Sequence, residues 1–224
     1  MKIIIVYHEK RKKVALIQYN HLRSFFRGEI HYICDGCPPP VDEPYTIVHL
    51  QSYSRQKLWD ALANHVGLVC VLDCDRLFEA DFLQDVELGS AIYPKYLYYT
   101  KKEYVGFNED LSIARKEKLI DIYREVCCSK VPTSGTTIFH VEDWERYRSN
   151  HYLSGYGFGD VATFLDMQRG GIRFIPSNAP VLHLHHDYDI PQKEFVRQNV
   201  SNANRISQIY NLPVGQQIKL LPLD

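Results

Sequence analysis

Short β-branched runs alternate with stretches of helical periodicity along most of the chain, the pattern of a largely parallel sheet covered by helices. Lys2 to Tyr7 opens the series as a strand. Val14, Ile17, Leu22, Phe25 and Phe26 then recur at roughly helical spacing, and Gly28 follows where a helix can stop. Ile30 to Cys34 reads as a second strand and Tyr45 to Leu50 as a third, separated by an irregular loop from Asp35 to Pro44 with three consecutive prolines. Leu58, Trp59, Leu62, Ala63 and Val66 form one apolar helical face starting near Ser54, and Gly67 breaks it before Leu68 to Leu72. That run has no polar alternation, as expected of a strand buried on both faces. Farther on, the spacing predicts a short helix from Glu79 to Val86, a strand from Ser90 to Tyr99 and a long helix from Leu111 to Cys127. A strand at Gly135 to Val141, helices at Glu142 to Arg148 and Asp160 to Arg169, extended segments at Ile172 to Ile175 and Val181 to His185, and a helix at Glu194 to Tyr210 complete the reading.

No repeat, low-complexity tract or long linker divides the sequence, so a single α/β domain is expected. With 45% hydrophobic and 24% charged residues, the chain has enough apolar material for a packed core, which excludes disorder. The 26 Lys and Arg are balanced by 27 Asp and Glu, which argues against a duplex nucleic acid or an anionic membrane surface as partner. No transmembrane segment is expected, because the best apolar window, Val66 to Leu72, is far short of the ~20 residues a spanning helix needs. The opening strand is too short for a secretory signal, and six cysteines in a chain of this size read as reduced thiols, so a cytoplasmic location is expected. The 16 tyrosines suit a cleft that stacks on rings, although tyrosine also lines half-buried sheets.

Chemistry is expected where the buried strand ends, at Leu72-Asp73-Cys74-Asp75-Arg76, since open α/β sheets bind ligands outside the carboxyl ends of their strands. On extended backbone Asp73 and Asp75 would point the same way and could together grip a divalent cation that also touches a diphosphate; the alternative is a solvated turn. Cys34-Asp35-Gly36-Cys37 is a CxxC without a second ligand pair at comparable spacing, which argues against structural zinc, and the prolines after Cys37 argue against a helix-borne redox site. The glycines of Gly155-Tyr156-Gly157-Phe158-Gly159 lack the Lys-Ser/Thr of a phosphate-binding P-loop.

Arg55 to Leu83 resembles the central motif of GT-A glycosyltransferases of the family 2 type, through Ser54-Arg55-Gln56, Ala63-Asn64-His65-Val66-Gly67, Val71-Leu72-Asp73-Cys74-Asp75 and Asp81-Phe82-Leu83. The resemblance implies that Asp73 and Asp75 hold a nucleotide-sugar diphosphate through Mn²⁺ or Mg²⁺, with Arg55 adding charge near the phosphates. Ile33-Cys34-Asp35-Gly36 is similar to the family's Val-Asp-Asp-Gly turn, which would set Asp35 against the nucleotide base; Asp35 as a plain turn residue is the other reading. Tyr7 and His8, at the end of the first strand, would line the same pocket.

A second block, Gly155 to His186, resembles the carboxyl-terminal half of galactosyltransferase-like and polypeptide GalNAc-transferase-like members. Their Gly-Trp-Gly-x-Glu-Asp, helix, glycine turn, proline strand and histidine pair correspond to Gly155 to Asp160, a helix with Phe164 and Leu165, Gly170-Gly171, Pro176 and His183-Leu184-His185-His186. Tyr156 stands in place of the tryptophan and would stack on a sugar, while Gly159 replaces the glutamate. The resemblance makes Asp160 the catalytic carboxylate that takes the acceptor hydroxyl's proton; the alternative is a helix N-cap. On a strand His183 and His185 would share a face and His186 would point elsewhere, so His185 or His183 is expected to complete the metal site, with Asp187 and Asp189 orienting the rings. Trp144 is expected either at the acceptor floor or in the core.

The fold expected is therefore a single Rossmann-like GT-A domain with a mixed, mostly parallel sheet. Residues 1–100 would form its nucleotide-sugar half, 101–190 its acceptor half and 191–224 a helical tail. The function expected is inverting, metal-dependent transfer from a UDP-sugar to a hydroxyl acceptor. A retaining transferase, a sugar-nucleotide nucleotidyltransferase and a non-catalytic sugar-binding domain are the alternatives.

Overall fold

A computed structural model describes residues 1–51, 54–100, 123–128, 135–148, 153–155, 158–184, 186 and 190–211. Two sheets organise them. The larger contains β1 (Lys2–His8), β2 (Ile30–Asp35), β3 (Tyr45–Val48), β4 (Leu68–Asp73), β6 (Ser90–Pro94), β9 (Thr136–His140) and β10 (Arg173–Ser177), in the order β10-β6-β9-β4-β1-β2-β3. Every neighbouring pair is parallel except the two that β9 makes, with β4 and with β6. The smaller sheet runs β5-β11-β7-β8, from β5 (Arg76–Phe78), β11 (Val181–His183), β7 (Tyr96–Thr100) and β8 (Tyr123–Cys128).

Strand β1 shows why the sequence folds in layers. Ile3, Ile5 and Tyr7 point to one face, where Ala15 and Leu22 of α1 (Lys12–Phe25) meet them. Ile4 and Val6 point to the other, against Leu58 and Trp59 of α2 (Arg55–Trp59), Trp144 of α3 (Val141–Tyr147) and Met167 of α4 (Gly159–Arg169). The period of two thus divides one apolar run between two cores. Helix α5 (Gln192–Tyr210) docks on α4 through Ile206 and Tyr210, which pack with Leu153, Ala162, Phe164 and Leu165. No helix among the described residues is long and apolar enough to cross a membrane.

Several elements differ from the sequence reading. Residues 123–128 form a strand paired with β7, where the tail of a long helix was expected; 111–122 lie outside the described residues. Tyr, Val and two Cys suit a pleated surface, and a waiting strand partner overrides helical spacing. The expected helix at Glu79 to Val86 is only a 3₁₀ turn, Ala80–Phe82. The strand expected from Ser90 to Tyr99 divides at Lys95, whose N–H donates to Ser177 O, so that β6 joins one sheet and β7 the other. Helix α2 tightens after Trp59 into a 3₁₀ turn, Asp60–Asn64, and Gly67 at φ +76° turns the chain into β4.

Candidate metal and donor site

Strand order reverses between β1 and β4, and the carboxyl ends of these parallel strands form the crevice where doubly wound sheets bind ligands. Asp73 is the last residue of β4; Cys74 and Asp75 make a tight turn, and Arg76 begins β5. The turn is pinned from four sides. Cys74 N–H donates to Val6 O at 3.1 Å and Asp73 N–H to Gly135 O at 2.9 Å. Leu184 N–H donates to Asp75 O at 2.8 Å. From α1, the wholly buried Gln18 uses Nε2 to donate to both Asp73 O and Arg76 O, each at 2.7 Å.

Asp75 is 4% exposed. Its Oδ2 receives Arg11 Nη1 at 2.6 Å, His186 Nε2 at 3.1 Å and His183 Nε2 at 3.5 Å. Arg76 Nε lies 3.4 Å from Oδ1. The two imidazole Nε2 atoms are 3.1 Å apart, and one ligand atom each from Asp75, His183 and His186 can be chosen with all three within 4.8 Å of one another. Burial works to raise the Asp75 pKa, but His183, Arg76 and the histidine hydrogen bonds outweigh it and hold the carboxyl well below its usual value. Burial and the nearby Arg76 guanidinium lower the His183 imidazole to about 4, against the pull of Asp75, so the ring is neutral near pH 7, the form in which imidazole binds metals. One anionic carboxylate and two imidazoles gathered on one point fit a divalent transition ion.

Asp73 faces a different partner. Arg55 Nη2 contacts its Oδ2, and Arg76 Nη2 lies 3.6 Å from the same oxygen. Burial raises the Asp73 pKa, while Arg55 opposes the shift. The same Arg55 reaches Asp160, Nη1 to Oδ2 at 3.6 Å, and so joins Asp73 to the start of α4. The N-cap of α4 is Phe158, held in the left-handed region at φ 64°, and Asp160 lies inside the helix with Oδ1 near Val161 N–H at 3.2 Å. The N-cap reading of Asp160 is thereby replaced. A Cβ built on Gly159 would stand 3.4 Å from Arg55 Cβ, in ordinary contact, so Arg55 lies close along the helix start.

Among the described residues, the trio that could hold a cation keeps the expected Asp75 and His183, adds His186 and leaves out Asp73. Beyond Asp73 the backbone turns, so the two-residue alternation that would align Asp73 with Asp75 no longer holds, and Asp73 is outside the trio. Strand β11 likewise stops at His183, which frees His186 to fold back onto Asp75 instead of pointing away. His185, Tyr156, Asp187 and Asp189 lie outside the described residues. Tyr7, expected at the ligand pocket, is 2% exposed and edge-on to Tyr32, 6.3 Å between centroids. Its place in β1 aims it into the core, and burial, then the neighbouring thiols Cys37, Cys74 and Cys34, raise its hydroxyl pKa. His8 and Asp35 meet at the ends of β1 and β2, Nε2 to Oδ2 at 3.8 Å; burial raises Asp35 while His8 and His49 lower it. Gly36, at φ +75°, makes the turn that follows. Trp144 is a core residue, 3% exposed. Cys34 and Cys37 are free thiols, and burial, then Cys37, push the Cys34 thiol up to about 12.

Sequence reasoning gave no role to Arg11, Gln18 or Arg76, and set His186 aside as pointing elsewhere. For Gln18 a signal existed: Val14, Gln18 and Leu22 fall at four-residue steps on the buried stripe of α1, and a polar residue on such a stripe needs buried partners.

Comparison with models of known protein families gives no match, and no curated protein matches the sequence. Solved structures do match. The glucosyl-3-phosphoglycerate synthase of Mycobacterium tuberculosis, determined with Mn²⁺, UDP and glucosyl-3-phosphoglycerate, aligns with TM-score 0.53 and 14% identity over 96% of this chain and 81% of its own. A mutant of a Drosophila β-1,4-galactosyltransferase 7, determined with manganese, UDP-Gal and xylobiose, gives 0.51 and 13% over 88% and 80%. The inositol-1-phosphate CTP transferase of T. maritima gives 0.50 and 8% over 88% and 94%. The fold is the GT-A fold of nucleotide-sugar glycosyltransferases.

Proposed function

We infer that this protein is a metal-dependent glycosyltransferase that moves a sugar from a nucleotide-sugar, most simply a UDP-sugar, to a hydroxyl acceptor. The observation that carries this reading is the convergence of Asp75, His183 and His186 at the switch point of a GT-A sheet. These three would hold the ion, and their mixed oxygen and nitrogen donors favour Mn²⁺ over Mg²⁺. When bound, such an ion acts as a Lewis acid that neutralises the departing diphosphate. Asp73 and Arg76 set the charge balance beside it, and Asp35 with His8 stands where a base would lie. Arg55 holds Asp160 at the same crevice. Asp160 is assigned as the base that takes the proton from the acceptor hydroxyl as its oxygen attacks, which inverts the anomeric carbon.

The test is turnover of a UDP-sugar panel with Mn²⁺. Asp75→Asn should abolish donor hydrolysis and transfer. Asp160→Asn should lower transfer by about 10²–10⁴-fold with UDP binding retained. Background turnover unaffected by Asp75→Asn would exclude catalysis and leave a sugar-binding domain. A product that keeps the donor's anomeric configuration by NMR would make the enzyme retaining and move Asp160 to the donor face.

The likeness to a CTP transferase favours a second reading, a nucleotidyltransferase. Here β1 passes directly into a 3₁₀ turn, Glu9–Arg11, and α1, with no glycine-rich loop between them. Release of pyrophosphate from CTP or UTP with a sugar or polyol phosphate would select that reading.

A further inference from the structure

Asp75 Oδ2 is the oxygen a cation would take, since both imidazoles approach it, and the shortest contact to that oxygen comes from Arg11 at 2.6 Å. A cation coordinated to that oxygen would stand within about 5 Å of the guanidinium, where two positive charges repel. One has to leave. Arg76 is not the one: it is 8% exposed, and its guanidinium packs so closely on Gly135 that an added Cβ would lie 2.5 Å from Nε. Arg11 sits on a 3₁₀ turn with no buried residues, at the carboxyl end of β1, and its side chain, 14% exposed against 10% for Arg76, has only that short turn behind it. It is also one of four successive cations, Lys10 to Lys13, entering α1, a helix end at which the backbone dipole disfavours positive charge and favours an anion.

We propose that Arg11 is an exchangeable counter-ion: it neutralises Asp75 in the absence of the divalent cation, and passes to the donor's diphosphate when the cation takes Asp75. The proposal rests on the cation site assigned above. Arg11 thus sets the order of events. The ion displaces a guanidinium, and the guanidinium becomes a phosphate contact, so cation and nucleotide tighten one another.

Mn²⁺ binding alone, titrated by electron paramagnetic resonance, tests this in four proteins: wild type, Arg11→Gln, Asp75→Asn and the surface control Arg197→Gln. Arg197 is 76% exposed and pairs with Glu194 on α5. R11Q should bind Mn²⁺ about tenfold more tightly than wild type, R197Q equally, and D75N not at all. With Mn²⁺ saturating, R11Q should bind UDP about tenfold more weakly. R11Q affinity for Mn²⁺ at or below wild type, with binding still lost in D75N, overturns the exchange and leaves the cation site standing. Absence of Mn²⁺ binding in every protein removes the site and the exchange together. Should R11Q not fold, phenylglyoxal labelling of wild type decides. Mn²⁺ should raise the rate of adduct formation at Arg11 and UDP added with Mn²⁺ should lower it; a rate indifferent to Mn²⁺ overturns the proposal.

Discussion

Gln18 holds the acidic turn by its backbone, so its removal should be felt in two measurements at once. Gln18→Leu leaves Asp73 O and Arg76 O without their buried donor, and should cost about 2–4 kcal/mol in urea unfolding while weakening Mn²⁺ binding. Full Mn²⁺ affinity in a destabilised Q18L would show that the turn keeps its shape without the amide. Gly135→Ala tests the opposite wall. Its methyl would meet the Arg76 guanidinium at 2.5 Å, so the arginine must shift, at about 1–3 kcal/mol, and carry the Asp75 carboxylate with it. Single residues were legible where local pattern determined them. Asp73 and Asp75 could be located from the apolar run before them, and Gly67 from the strand it leads into. His186 was misjudged because alternation was extended past the end of β11, and Arg11 passed unnoticed because its partner is 64 residues away.

Helix α5 is the clearest test at the scale of elements, since it packs on α4 and makes no part of the cation trio. Ile206 is fully buried there, and Ile206→Ala should cost about 2–5 kcal/mol while Mn²⁺ affinity in the folded protein stays at the wild-type value. Tyr210 adds a hydroxyl that donates to Asp166 Oδ1 at 2.5 Å, and Tyr210→Phe should cost about 1 kcal/mol by the same measurement. Long apolar or strongly periodic segments revealed themselves in the sequence: β1, β4, α1 and α5 lie within a few residues of where spacing puts them. The short pieces of the second sheet did not. Three-residue β5 has too few positions to show a period, and β8 overlaps the end of a stretch of helical spacing, where only its pairing with β7 reveals a strand.

At the scale of the molecule, one buried histidine and two half-buried ones make stability depend on acid. His65 is 6% exposed with Lys2 Nζ 3.3 Å from Nδ1; burial, His31 and Lys2 lower it to about 4 from 6.5. Burial also lowers His31 and His21. Below pH 6.5 the unfolded chain takes up protons that the folded His65 refuses until about 4, so the stabilisation present above 6.5 is lost across that interval. Urea midpoints should fall between pH 7 and 4.5, and His65→Leu should flatten the slope; an equal slope in H65L would assign the acid response to other groups. The layered α/β class was legible from alternation alone, but strand order was not, because nothing local says that residues 136–140 will insert antiparallel between β4 and β6. The seam between the sheets carries a last consequence. Asp75 is bonded through its carbonyl to Leu184, and Arg76 is paired in register with His183, more than a hundred positions later. During biosynthesis the first five strands can emerge from the ribosome with their acidic turn still lacking both imidazoles. Only when the stretch through His186 has been translated could a nascent chain hold the proposed ion there, so metal uptake would report synthesis past that point.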